Sequence, residues 1–340
     1  MDSADLQQYF FKHIKTLLPA NRSFVDEVAD LLGISNDSAY RRIRGEKAIT
    51  LEEIQKLCKH YHVSLDQIIN LDSNSIVFHG NNVEAGNFDF EKYLQEMLSI
   101  LKTLNAASHK MMIYEAKDMP IFYFFQFPEL ASFKFFFWMK SVLSYPEYAK
   151  MKFEENELTD ILLKTGNEII KNYCTIPSTE IWVVESISTT IRQIEYYTEG
   201  GVIKKKDTIA LLYEQLEKVV DHIKEQAEHG EKFLMGTKPS GKPDNYHLYY
   251  NEVFLGHNSI ILEADNMQAA VINHGVLNYM RTFDKKFFSY TKKQLENTMK
   301  KSVLISSVGE KERNRFFNVL QSKIQHSKKE TLEQRAASMT

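Results

Sequence analysis

Positive charge is concentrated in one short segment of the chain, residues 40–47. The segment has a single acidic residue, Glu46, and four basic ones, Arg41, Arg42, Arg44 and Lys47. Guanidinium and ammonium groups at this density can neutralise phosphates. The surrounding residues 1–72 carry nine Lys and Arg against eleven Asp and Glu. The pattern therefore predicts a local contact with phosphates and not a generally basic domain.

The elements that must position this cluster are predicted from residues 28–46, which read VADLLGISNDSAYRRIRGE. Gly33 permits a tight turn, Ile34 can pack into the corner that follows, and Ser35 can cap the next helix. That helix would begin at Asn36 and present polar and basic side chains outward. The segment thus predicts two helices joined by a tight turn, with the second one exposed.

Several segments before residue 70 have the pattern of a helix start, in which a Ser or Thr is followed three residues later by an acidic or amide side chain. The pairs are Ser23 and Asp26, Thr50 and Glu53, and Ser64 and Gln67. Apolar residues recur at intervals of three and four after these starts. Together with the amphipathic segment 6–18, the pattern predicts five short helices.

With its continuation over residues 48–69, this segment resembles the lambda-repressor and Cro-like (XRE) helix-turn-helix family, across about a fifth of the chain. The family's turn glycine, apolar residue and capping serine correspond to Gly33, Ile34 and Ser35. The resemblance implies a DNA-binding domain whose base-facing residues are Asn36, Asp37, Tyr40 and Arg41. It also implies phosphate contacts from Ser35, Arg44 and Lys47, either role for Arg42, and a place for Ser38 on the same surface.

One position departs from the family pattern. The family usually has an apolar residue three positions after Ala39, whereas this chain has Arg42 there and Ile43 next. The departure predicts a slight rotation of the recognition helix. The acidic Asp37 is tolerated near a helix N-terminus, and its carboxylate can accept a hydrogen bond from cytosine.

The rest of the chain is predicted to be mainly α-helical, with an all-helical middle region and a small antiparallel β meander with helices at the C-terminus. A stretch rich in Asn, Ser and Gly marks a linker. The predicted organisation is a helix-turn-helix domain at 1–72, a linker at 73–87, a helical dimerisation region at 88–230, an α+β region at 245–326 and a flexible tail at 327–340.

Two further features favour ordinary packing or solvation over a special role. The aromatic block at residues 121–140 has too many polar interruptions for a membrane span, and it predicts a core or dimer interface more than a cavity for an apolar effector. Paired lysines at 285–286, 292–293 and 300–301 form a stripe that could touch DNA flanks. A solvated helix face is the favoured interpretation.

Composition excludes several classes of protein. A net charge of −3 excludes indiscriminate coating of nucleic acid. The sequence lacks a glycine-rich phosphate loop, a nucleophile elbow and a zinc-protease histidine pair, so we expect no enzyme activity, no cofactor and no metal site. Only Cys58 and Cys174 occur, and the N-terminus is unlike a signal peptide, which predicts a cytoplasmic protein.

These observations predict a transcriptional regulator that binds a roughly palindromic operator in double-stranded DNA as a homodimer. The region after residue 88 would hold the dimer and is a candidate sensor for a small-molecule or peptide effector. The alternative is an interaction adaptor that uses its helical region to bind a protein. The sequence leaves open the operator, the regulated genes and the choice between repression and activation.

Overall fold

The computed structural model describes residues 3–15, 18, 23–61, 63, 65, 76–80, 88–155, 160–241, 244–253, 256–265 and 267–337. The chain divides into two compact units, Met1–Val77 and Phe78–Thr340. Among the described residues, no helix combines the length and the apolar character needed to cross a membrane.

The N-terminal unit contains four described helices: α1 (Ser3–Lys15), α2 (Phe24–Leu32), α3 (Asn36–Ile43) and α4 (Leu51–Tyr61). Their apolar faces meet in one core, which includes Phe11, Val28, Ala39 and Leu57. Each of these side chains is at most 2% exposed. The predicted fifth helix, with its start at Ser64, falls mostly outside the described residues.

The predicted turn and the helix caps at Ser23 and Thr50 are confirmed, while the cap predicted at Ser64 lies outside the described residues. The hydroxyl of Ser23 accepts the Asp26 N–H at 3.5 Å. Thr50 and Glu53 bond reciprocally, through the Glu53 N–H at 3.2 Å and the Thr50 N–H at 3.0 Å. Gly33 ends α2 in the left-handed conformation, with φ of 66°. A side chain would have room at this position, since nothing lies within 4 Å of it. The positive φ alone would strain any residue other than glycine.

A seven-stranded mixed sheet organises the C-terminal unit. Its strands are β1 (Lys110–Ala116), β2 (Ser178–Trp182), β3 (Tyr246–Tyr250), β4 (Ser259–Ala264), β5 (Met267–Asn273), β6 (Tyr279–Thr282) and β7 (Val303–Leu304), in the spatial order β6-β5-β4-β1-β2-β3-β7. The central pairs β1 with β2 and β2 with β3 are parallel. All other pairs are antiparallel.

Helices cover both faces of this sheet. They are α5 (Phe90–Ala106), α6 (Pro128–Phe137), α7 (Asp160–Cys174), α8 (Ser188–Glu199), α9 (Lys206–His229), α10 (Lys285–Lys300) and α11 (Glu310–Ala337). Alternate β1 residues such as Met112 and Tyr114 join the large core with six of these helices. Ile113 points to the opposite face, where it packs with Phe288 and Leu295 of α10.

The predicted mainly α fold with a small antiparallel meander is wrong, because the seven-stranded sheet draws two of its central strands from the region expected to be all helical. In β1, three consecutive residues from Met112 to Tyr114 are buried, so the strand lacks the polar alternation that identifies a half-exposed strand. The segment of β2 also lies in the region predicted to be all helical, whereas the next helix, α8, begins at Ser188. In addition, β3 pairs with β2 and not with β4.

Strand β2 carries a carboxylate into the core. Glu180 is 0% exposed, and its oxygens accept hydrogen bonds from the side chains of Tyr123, Tyr173, Trp182 and Tyr246. Burial raises the pKa of all three tyrosines well above its usual value, as does the Glu180 charge, so the phenols remain donors. The buried carboxylate is satisfied by two donors near it in sequence, Tyr173 and Trp182, and by two distant ones, Tyr123 and Tyr246.

The aromatic block packs as core. Phe124, Phe133, Phe135 and Phe136 are each at most 2% exposed, and edge contacts such as that of Phe133 with Tyr197 join it to α8.

The segment from residue 327, expected to be flexible, continues α11 through Ala337.

Candidate nucleic-acid interface

Helix α3 presents a polar outer face and a buried inner face. The exposed positions on the helix are Asn36, Asp37, Tyr40 and Arg41, and those beside it are Ser35, Arg44 and Lys47. Ser38 is half-buried, while Ala39 and Arg42 are buried. All the predicted base-facing residues therefore lie on the accessible side of α3.

The start of α3 is fixed at two points. The Ser35 hydroxyl accepts the Ser38 N–H at 3.3 Å, which caps the helix. The Asn36 side chain donates to the Asp26 carboxylate at 2.8 Å. The second bond ties the first turn of α3 to α2, so the amide of Asn36 is already engaged on one side.

The other exposed side chains form a basic and aromatic surface. Tyr40 is 51% exposed, and the guanidinium of Arg44 lies 5.7 Å from the centre of its ring. Arg44 also contacts the carboxylate of Glu46 at 3.2 Å. Such an exposed ion pair adds little to stability, so Arg44 can exchange this partner for a phosphate.

Arg42 has a different position from that expected of a DNA contact. It is 6% exposed, and its Nε and Nη2 donate to the two carboxylate oxygens of Glu53 at 2.9 and 2.8 Å. Its Nη1 donates to the Ser38 carbonyl at 3.2 Å. The arginine occupies the place of the family's apolar residue because Glu53 supplies a bidentate partner there, which removes Arg42 from the accessible surface.

Glu53 links this arginine to the start of α4. Burial alone would raise the pKa of Glu53, but hydrogen bonds from Arg42 and the Thr50 N–H, together with the Arg42 charge, lower it below its usual value. The carboxylate is therefore ionised at neutral pH, and one side chain both caps α4 and fixes the inner face of α3.

Two glutamines of α1 hold the segment that follows α3, and the sequence pattern gave no sign of them. The Gln7 amide donates to the carbonyls of Arg42 and Lys47 at 2.7 and 2.8 Å and accepts the Ile49 N–H at 3.0 Å. Gln8 donates to the Arg44 carbonyl at 2.7 Å. The backbone that carries Arg44 and Lys47 is thus held by side chains from another helix.

Comparison with known proteins gives a match that covers most of this unit and extends a few residues beyond it. No curated protein and no solved structure matches the chain. Residues 10–84 match the model of the BetR domain, a helix-turn-helix family of DNA-binding domains. The match spans α2, α3 and α4, so these helices of the N-terminal unit are similar to a BetR domain.

Proposed function

We propose that the N-terminal unit binds duplex DNA by placing α3 in the major groove. Asn36, Asp37, Tyr40 and Arg41 then face base edges. The observation that carries the proposal is the exposed polar face of α3, within residues that match a DNA-binding family. The likeness of the turn and caps to the lambda-repressor and Cro-like family supports this docking geometry.

Phosphate contacts come from the ends of this surface. Ser35 lies at the helix N-terminus, while Arg44 and Lys47 follow its C-terminus on backbone held by α1. Arg42 acts inside the unit through Glu53. Ser38 serves by its N–H and carbonyl, which bond to Ser35 and Arg42.

We also infer that the protein acts as a homodimer on a roughly palindromic operator. A single helix-turn-helix unit reads only a few base pairs, and paired half-sites lie about one helical turn, ~34 Å, apart. The C-terminal unit would hold the two copies together and report a regulatory signal. Sedimentation of the full chain with and without a palindromic duplex measures the number of copies bound.

The decisive test is the affinity of the full chain for a selected duplex across a salt series, followed by fluorescence anisotropy. We expect affinity to fall steeply with salt. The logarithm of the association constant, plotted against the logarithm of salt concentration, should have a slope of about −0.9 for each phosphate neutralised. Arg41→Ala should weaken binding to the selected duplex by about 5- to 150-fold, because a lost base contact costs about 1–3 kcal/mol. The matched control is Lys56→Ala, which removes an exposed positive charge from α4.

A regulator that does not read DNA through α3 would give a different pattern. Equal binding to all duplexes, with Arg41→Ala and Lys56→Ala indistinguishable, would remove the sequence-reading role. Absence of any salt-dependent DNA binding would leave the alternative, an adaptor that binds a protein partner.

A further inference from the structure

A lysine is buried in the C-terminal unit, and its hydrogen-bond partners are neutral side chains. Lys134 of α6 is 5% exposed, and its ammonium donates to the side-chain oxygens of Gln193 and Thr190 at 2.6 and 3.3 Å. It also lies 4.9 and 5.4 Å from the ring centres of Phe124 and Trp138. In the described part of the chain no acidic side chain forms an ion pair with it. Asp118 attracts the ammonium without forming an ion pair with it. A buried ammonium whose hydrogen-bond partners are all neutral is costly for a fold to keep.

This lysine lies directly behind a surface groove. The groove has a volume of about 400 Å³ and is lined by Phe137, Thr189, Arg192, Gln193 and Tyr196. Gln193 is shared, because it lines the groove and also accepts the hydrogen bond from Lys134. A rotation of the Gln193 side chain would therefore expose the Lys134 ammonium to a molecule bound in the groove.

The groove offers a second cation and an exposed ring. Arg192 is exposed, and within the described ranges its guanidinium has no acidic partner. Tyr196 is 65% exposed, a large fraction for an aromatic side chain. A free guanidinium binds a planar carboxylate through two parallel hydrogen bonds, and an exposed ring can cover an apolar body.

We propose that this groove binds a small organic carboxylate with an apolar body. The carboxylate lies against Arg192 and replaces the Gln193 oxygen as the partner of the Lys134 ammonium. The apolar body packs on Tyr196 and Phe137. A carboxylate fits better than a phosphate, because its two planar oxygens match the planar guanidinium of Arg192. The volume lies within the range of small-molecule sites.

Binding can be measured on the full chain without DNA, so its outcome is independent of the proposed DNA binding. The probes are benzoate, phenylacetate and hexanoate, with benzamide as the uncharged match to benzoate. Trp138, within 6 Å of the Lys134 ammonium, gives a fluorescence readout, and the thermal shift gives a second one. We expect saturable binding of at least one carboxylate and at least tenfold weaker binding of its amide.

Variants locate the site. Arg192→Gln changes an exposed side chain and should weaken carboxylate binding at least tenfold while the protein melts normally. Arg315→Gln, at an exposed arginine of α11, is the matched control and should bind as the wild type does. Lys134→Met should weaken binding as strongly as Arg192→Gln. The absence of saturable binding by all three carboxylates, or equal loss in Arg192→Gln and Arg315→Gln, would overturn the proposal.

Discussion

At the scale of single residues, Arg41 and Arg42 are neighbours with opposite roles. Arg41 is exposed on α3, whereas Arg42 is buried against Glu53. The local charge pattern of the sequence does not distinguish the two arginines. Their burial differs because it depends on which residue lies opposite each one in the folded unit. The partner of Arg42 is eleven positions away and belongs to another helix.

Arg42→Ala should therefore destabilise the N-terminal unit instead of removing a DNA contact. The change leaves the Glu53 carboxylate without its partner, at an expected cost of ~2–4 kcal/mol in the free energy of unfolding. This loss of stability would be measured as faster amide hydrogen exchange across α3 and α4 of the full chain. Arg41→Ala is the control, and similar exchange in the two variants would contradict the assignment.

Residue types predicted the turn and caps well, for a physical reason. Gly33, Ser35 and Thr50 bond to residues within three or four positions of themselves, so their structural roles can be inferred from the sequence alone. Gln7 acts on backbone about 40 positions away, and nothing in its neighbourhood signals this. Whether the exposed α3 residues contact DNA remains a prediction that the experiment above tests.

Lys134 gives a prediction for pH. Burial lowers its pKa from 10.5 to about 7, against the opposing attraction of Asp118, which follows β1. The unfolded chain therefore binds a proton that the folded protein lacks between about pH 7 and 10.5, so this group makes stability rise with pH. Relative to the wild type, Lys134→Met should be most stable at pH 7, and this advantage should shrink steadily through pH 9 towards pH 10.5.

Denaturant unfolding at pH 7, 8 and 9, followed by tryptophan fluorescence, measures this difference. Lys218→Met, at an exposed lysine of α9, controls for general effects of charge. A constant difference between Lys134→Met and the wild type across these pH values would show that the lysine is charged throughout.

At the scale of elements, α1 acts as a clamp for the segment after α3. Gln7→Leu would leave the carbonyl of Arg42 and the N–H of Ile49 without their side-chain partner. An unsatisfied buried group costs about 1–3 kcal/mol. We expect faster hydrogen exchange at residues 42–49 and weaker DNA binding through misplaced Arg44 and Lys47.

The control for this variant is Gln55→Leu, which makes the same change at an exposed position of α4. Both variants keep every basic residue of the N-terminal unit. If DNA binding weakens in Gln7→Leu but not in Gln55→Leu, the loss therefore comes from the displaced positions of Arg44 and Lys47 and not from a change in charge. Unchanged exchange at residues 42–49 would show that the clamp is dispensable.

The elements most difficult to predict were the central strands. β1 is buried on both faces and β2 contains a buried glutamate, so neither shows the alternation of a half-exposed strand. Helices α5 and α7 show a clearer pattern, because their polar outer faces leave a helical period in the sequence. Sequence periodicity identifies elements that face water better than those enclosed by others.

At the scale of the whole molecule, α11 completes the core of the C-terminal unit. The hydroxyl of Tyr213 on α9 bonds to Ser327 and Thr331 at 2.7 and 3.0 Å, and both partners are at most 5% exposed. A chain ended after His326 loses these bonds and the packing of Leu332 on the core. We expect its melting temperature, read by tryptophan fluorescence, to fall by roughly 10 °C or more.

The matched control is a chain ended after Ala337, which keeps the whole of α11. Trp138 and Trp182, the two tryptophans of the sequence, both lie in the C-terminal unit, so fluorescence reports the unit from which the residues are removed. Equal melting of the two shortened chains would show that the end of α11 is peripheral.

The strand order has a consequence for how the protein is made. β1 is the first strand to leave the ribosome, yet it lies at the centre of the sheet, where Lys110 pairs with Ala264 of β4. One side of β1 can pair with β2 early, while the other must wait until β4 has been translated. During that interval the nascent chain carries an open, apolar strand edge, the kind of surface that invites aggregation. The speed of translation between β2 and β4, and the chaperones that meet the chain there, therefore influence how much active protein a cell obtains.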